Sequence, residues 1–306
     1  MAATAPEKLK QALASGLLSF PLTDFDEADR FDENAYAERL CWLDSYGAAA
    51  MFAAGGAGEF FSLTVEEYRS VIRTAVASGS RVPVIAASGY GTQMAVDFAR
   101  EAEKLGADGL LLLPPYLTEA SQEGLAHHIR TVCNQTGLGV IIYNRANCRL
   151  QADTLMRLLD ECPNLIGFKD GIGDIEETQK ITARVGDRAI LINGLPTAEI
   201  YAQAYKGMRI DTYTSAIFNF VPKSAIAFHR AVLADDHETI AEFTRTFLAP
   251  YGRIRARQPG YAVSIVKAGA DLVGRSAGRV RPPLTPLTKA EYDELAALIE
   301  LLGPQD

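Results

Sequence analysis

Eight short apolar runs, at 16–22, 48–54, 82–87, 109–113, 139–143, 165–169, 189–193 and 210–214, set the tightest limit on how this chain can fold. They are apolar throughout rather than alternating, as parallel strands buried on both faces are. Amphipathic stretches lie between them. At 32–46, Tyr36, Leu40 and Leu43 fall on one helical face. Thr64 and Glu67 have capping-box spacing ahead of the next helix. The segments 92–105, 121–135, 152–160, 174–185 and 196–205 continue the alternation. Eight such units form either a (β/α)8 barrel or a doubly wound sheet, and a unit of roughly 25–30 residues suits the barrel. After Phe218 the strand pattern stops. Helices are predicted at 222–233, 237–248, 262–272 and 288–302, with the three prolines of 281–286 marking a connector. The expected organisation is a TIM barrel over residues 1–221 and a C-terminal α-helical domain over 222–306.

Composition narrows the function. With 306 residues, 48% of them hydrophobic, the chain can bury a large core and is not a disordered one. A net charge of −8 without a basic stripe argues against nucleic acid as a partner. The short run Arg253, Arg255 and Arg257 reads as a solvated helix face. Cys41, Cys133, Cys148 and Cys162 form no CxxC pair, and His127, His128, His229 and His237 form no HExxH cluster, so no metal is expected. Residues 1–10 contain no apolar signal core, and no apolar run approaches the ~20 residues of a membrane span. A cytoplasmic protein with reduced thiols and no membrane partner is expected.

In a barrel the chemistry sits on the loops that follow the strands. Run two is followed by Gly55-Gly56-Ala57-Gly58-Glu59, run five ends in Tyr143-Asn144-Arg145, and run six ends in Lys169-Asp170. A lysine at the end of an apolar strand is desolvated, which lowers its pKa and frees the amine to attack carbonyls. The alternatives for Lys169 are a side chain snorkelling outward or one paired with Asp170. Tyr143 ends the neighbouring strand, where a phenol beside a cation can shuttle protons. The alternative is a core aromatic with a satisfied hydroxyl. Glycines 55, 56 and 58 expose N–H groups able to hold a carboxylate. Neither GxGxxG nor GK[ST] is present, so neither NAD nor ATP is implied.

In combination, Gly55–Glu59, Tyr143-Asn144 and Lys169 resemble the G-x-T-G-E turn, Y-N motif and strand-six lysine of the dihydrodipicolinate synthase / N-acetylneuraminate lyase superfamily. Their order and spacing match along the whole barrel. The stretches 52–63, 143–145, 168–171, 194–199 and 218–222 are most similar to the branch that dehydrates and decarboxylates a 2-oxo sugar diacid. The resemblance implies a barrel with a C-terminal helical domain, commonly a tetramer, with Lys169 forming a Schiff base, Tyr143 moving protons and no cofactor. It places the substrate's C1 carboxylate near Gly56 and Ala57. Arg145 and Asn147 are candidates for the distal carboxylate, and Asn193, Thr214 and Ser215 for substrate hydroxyls. Two departures bear on activity. Pro115-Tyr116-Leu117 keeps one tyrosine where the synthases have two, which breaks their proton relay. Ala57 stands where the family usually has threonine. An aldolase using the same lysine and a non-catalytic sugar-acid-binding barrel are the competing readings.

Overall fold

The computed structural model describes residues 5–14, 16–115 and 118–305. Tyr116 and Leu117, part of the turn after run four, lie outside the described residues. The strands are β1 (Leu17–Ser19), β2 (Ala50–Ala53), β3 (Val84–Ser88), β4 (Gly109–Leu112), β5 (Gly139–Asn144), β6 (Leu165–Asp170), β7 (Ile190–Asn193) and β8 (Thr212–Ser215). Each pairs in parallel with the next, and β8 returns to β1, closing the barrel and excluding the doubly wound sheet.

Helix α1 (Pro6–Leu13) precedes β1. The ring then follows as α2 (Glu33–Asp44), α3 (Val65–Ala77), α4 (Thr92–Leu105), α5 (Gln122–Cys133), α6 (Ala152–Glu161), α7 (Ile175–Val185), α8 (Ala202–Gly207) and α9 (Pro222–Leu233). The helices α10 (His237–Phe243), α11 (Ala249–Arg255), α12 (Tyr261–Leu272) and α13 (Lys289–Glu300) complete the chain. The Thr64–Glu67 capping box forms at the start of α3. By chain order α9 is the helix of the eighth β/α unit, so a boundary after Leu233 keeps that unit whole, and this is the division we propose.

Two differences from the expected elements have physical causes. Helix α1 lies outside the sequence pattern, because Leu9 and Leu13 are its only large apolar side chains. Both are wholly buried among the inward-facing side chains of the barrel. The predicted helix 237–248 does not stop at Leu248. It passes through a π turn at Thr244–Leu248 into α11. Pro250, just after that turn, has no N–H to donate, so the regular helical ladder is interrupted there.

The strands divide their side chains between an inner cluster, including Leu18, Phe52, Ile85, Leu111 and Ile141, and an outer one against the helices. A bulge in β6 changes this alternation where it matters. Val140 pairs with Leu165 but Ile141 pairs with Gly167, leaving Ile166 unpaired. Ile166 packs inside and Phe168 outside. Without the extra residue, Ile166 and Lys169, three apart, would face opposite sides. With it, both face in.

Candidate active site

Lys169 is 3% exposed, at the carboxyl end of the barrel. Its Nζ lies 4.1 Å from the Phe20 ring centre and 4.0 Å from that of Tyr143. Phe20 in turn stacks on Phe52 at 4.5 Å. Burial, and then the nearby Arg145 guanidinium, hold the amine well below the usual lysine range. That shift favours the neutral amine, the state that attacks a ketone. It is neither snorkelled out nor paired with Asp170. That carboxylate points to the other side of the sheet and accepts from Tyr205 Oη at 2.5 Å, Ile172 N at 3.0 Å and Thr178 Oγ1 at 3.2 Å.

Tyr143 Oη donates to the Gly194 carbonyl at 2.9 Å and accepts from Arg145 Nη1 at 3.0 Å. Burial pushes the phenol up, while Arg145 pulls it down. Two glycines make room for the pair. A Cβ on Gly194 would meet Lys169 Cε at 2.4 Å, and one on Gly171 would meet the Tyr143 ring at 2.6 Å.

Over these groups opens a cavity of about 470 Å³. Its wall includes Gly56, Ala57, Tyr143, Arg145, Lys169, Thr214, Ser215 and Arg255. Among the described residues, the N–H groups of Gly56 and Ala57 donate to no protein acceptor. The turn carrying them is held from behind. Glu59 takes a left-handed backbone, with φ 54°. Its buried carboxylate pairs with Lys267 Nζ at 2.8 Å and accepts from Arg281 N at 2.9 Å.

Two expected substrate ligands are not brought to the cavity. Asn147 is absent from its wall among the described residues. Asn193 is wholly buried and fastens the loop after β7, donating to the Ala198 carbonyl and accepting from Leu195 N. A side chain at the last position of a strand can turn back into the loop, and Asn193 does. Arg255 corrects the expectation of a solvated face. Arg253 and Arg257 are exposed, but Arg255 turns to the barrel mouth and donates to Pro196 O at 2.6 Å and Thr197 Oγ1 at 2.5 Å. Nothing local in the sequence marks it, because its place depends on the packing of α11 over the loop after β7.

The family model for the "Dihydrodipicolinate synthetase family" matches residues 13–302. The chain belongs to the dihydrodipicolinate synthetase family. A family member from Pseudomonas putida, named 5-dehydro-4-deoxyglucarate dehydratase, is 56% identical over 301 residues, covering 98% of this chain and 99% of its own. One from Pseudomonas entomophila (strain L48), named "Probable 5-dehydro-4-deoxyglucarate dehydratase", is also 56% identical over 301 residues, with the same coverage. The family fold recurs in the crystal structure of dihydrodipicolinate synthase from Oceanobacillus iheyensis. That chain has a TM-score of 0.88 at 23% identity, over 97% of this chain and 99% of the other. The synthase from Aquifex aeolicus gives a TM-score of 0.86 at 25% identity, over 95% and 98%. Among the described residues, no helix is long and apolar enough to cross a membrane.

Proposed function

We propose that this chain dehydrates and decarboxylates 5-dehydro-4-deoxyglucarate to 2,5-dioxopentanoate, CO2 and water through a Schiff base on Lys169. The observation that carries the chemistry is the desolvated Lys169 amine between two rings, one of them Tyr143. The choice of substrate rests on the relatives of that name at 56% identity over nearly the whole chain.

The substrate is numbered here from its keto-acid end. Its C1 carboxylate sits at the N–H groups of Gly56 and Ala57, which have no protein acceptor among the described residues. Neutral Lys169 adds to the C2 ketone, and the carbinolamine hydroxyl takes the proton of Tyr143 and leaves as water, giving an iminium and a Tyr143 phenolate beside Arg145. The iminium acidifies C3, and the Tyr143 phenolate takes the C3 proton as the C4–O bond breaks. The unsaturated iminium then accepts the electron pair left when the C6 carboxylate departs as CO2. Protonation, tautomerisation and hydrolysis release product and free Lys169. The covalent sink serves both eliminations, so the reaction needs no metal or other cofactor. Arg145 and Arg255 supply positive charge on the cavity wall for the distal carboxylate, and Thr214 faces the hydroxyls. The working unit is a homo-oligomer, a tetramer or dimer, in the cytoplasm.

The deciding experiment incubates the protein with 5-dehydro-4-deoxyglucarate and measures CO2 and aldehyde together. Equimolar release supports the reading. Carbon–carbon cleavage without CO2 would make the protein an aldolase, and binding without turnover would make it a sensor.

A further inference from the structure

Decarboxylation of a carboxylate consumes one proton per turnover, and the proton that Tyr143 takes from C3 is returned to carbon later. The proposed reaction therefore needs a second proton source. At the cavity wall, Ser215 Oγ donates to Glu199 Oε1 at 2.5 Å and accepts from Phe218 N at 3.1 Å. Glu199 is 1% exposed and stands at the start of the loop helix after β7. Its second oxygen, Oε2, has no hydrogen-bond partner among the described residues. Nothing in the catalytic scheme above uses this carboxyl.

We propose that Glu199 is a positioning residue that supplies, through Ser215, the proton taken by the departing C4 hydroxyl. The hydroxyl of Ser215 has one hydrogen and two lone pairs. When Glu199 is a carboxylate, Ser215 gives its hydrogen to Glu199 and one lone pair to Phe218 N–H. It then meets the cavity only as an acceptor. When Glu199 is protonated, it donates to Ser215, both lone pairs are occupied, and the hydrogen of Ser215 turns to the cavity. As the C4–O bond breaks, its electron pair stays on oxygen and takes the hydrogen of Ser215. Ser215 takes that of Glu199, water leaves, and Glu199 remains as carboxylate until solvent reprotonates it. The titratable groups facing Glu199 are Arg255 and Tyr251 from α11 and Tyr213 from β8. Burial pushes the carboxyl up to about 7, against the lowering effects of Ser215 and Arg255. Half of it thus holds a proton near neutrality.

The proposal rests on the dehydratase reading, and the test separates the two. The pH profile of kcat is measured with 5-dehydro-4-deoxyglucarate for the wild type, Glu199→Gln and Ser215→Ala. Because protonated Glu199 is the active form, wild-type kcat should fall as pH rises through about 7. In Glu199→Gln, kcat should drop by about 10²-fold, the low end for a proton-transfer group, with the limb near pH 7 gone and KM unchanged. Ser215→Ala should lose the same limb, and the double variant should be no worse than either single. If Glu199→Gln does not fold, Ser215→Ala decides alone. A limb that persists in folded variants of a CO2-releasing enzyme overturns the proton route and leaves the dehydratase reading intact. A wild type that releases no CO2 overturns both.

Discussion

In the proposed reaction, Lys169 sets function against stability. Its folded pKa is depressed, so below the usual lysine range the unfolded chain binds a proton that the folded chain does not. The sign follows: this group lowers stability at neutral pH, and the deficit shrinks as pH rises towards the unfolded lysine value. Lys169→Met should therefore be inactive yet more stable by roughly 1–3 kcal/mol at pH 7, the usual cost of a desolvated polar group. Its advantage should narrow by pH 10. Denaturant titrations at both pH values check this, and a less stable variant at pH 7 would refute it. The same lysine should carry the reduced ligand after borohydride treatment with a 2-oxo acid, and label on another peptide would remove it from the mechanism. Tyr143→Phe keeps the buried ring but loses the hydroxyl that joins Gly194 O and Arg145. The expected fall in kcat is ~10²–10⁴-fold with the fold intact. At Ala57 an added hydroxyl would face the cavity. Ala57→Thr should raise kcat/KM by about tenfold, since a bond to a charged group contributes roughly 1.5–3 kcal/mol. No change would mean that the two backbone N–H groups already satisfy the carboxylate.

At the scale of the element, the bulge in β6 and the glycines beside it decide which way the lysine faces. A Cβ on Gly194 would stand 2.4 Å from Lys169 Cε, whereas one on Gly56 meets nothing within 4 Å. Gly194→Ala should cost about 1–3 kcal/mol through overpacking and slow imine formation sharply. Gly56→Ala should leave stability within ~0.5 kcal/mol. Thermal melts with single-turnover trapping compare the two, and equal behaviour would show that Lys169 moves aside at no cost. The alternation of apolar runs and helices was open to reading because burial on both faces leaves few polar residues within a parallel strand. The bulge was not, since the unpaired Ile166 is as apolar as its neighbours. Helix α1 was also missed, because two leucines in a charged segment acquire meaning only beneath an open barrel.

In the whole molecule, the C-terminal helices do more than cover the ring. Lys267 of α12 reaches Glu59 behind the carboxylate turn, while α11 brings Arg255 to the cavity. Both partners of the Glu59–Lys267 pair are buried, at 0% and 3% side-chain exposure. Lys267→Met leaves Glu59 as an uncompensated buried charge. A loss of about 3–5 kcal/mol is expected, together with weaker substrate binding as the turn relaxes. Chemical denaturation and KM measure the two effects, and a stable variant with wild-type KM would show that the turn holds its shape alone.

The sequence by itself determined the eight-unit order, the strand-ending lysine and tyrosine, and the Thr64–Glu67 cap of α3, because each depends on residues within one turn or one strand. The tertiary structure alone decided which face Lys169 takes and that Asp170 is turned away from it. It also drew Asn193 into its own loop, and seated Arg255 and the Glu199–Ser215 pair at the cavity. These choices depend on register, on close approach at Gly171 and Gly194, and on contacts between segments far apart in the chain. Short-range pattern carries none of that information, since a polar side chain reads alike in sequence whether it faces a cavity, a loop carbonyl or water.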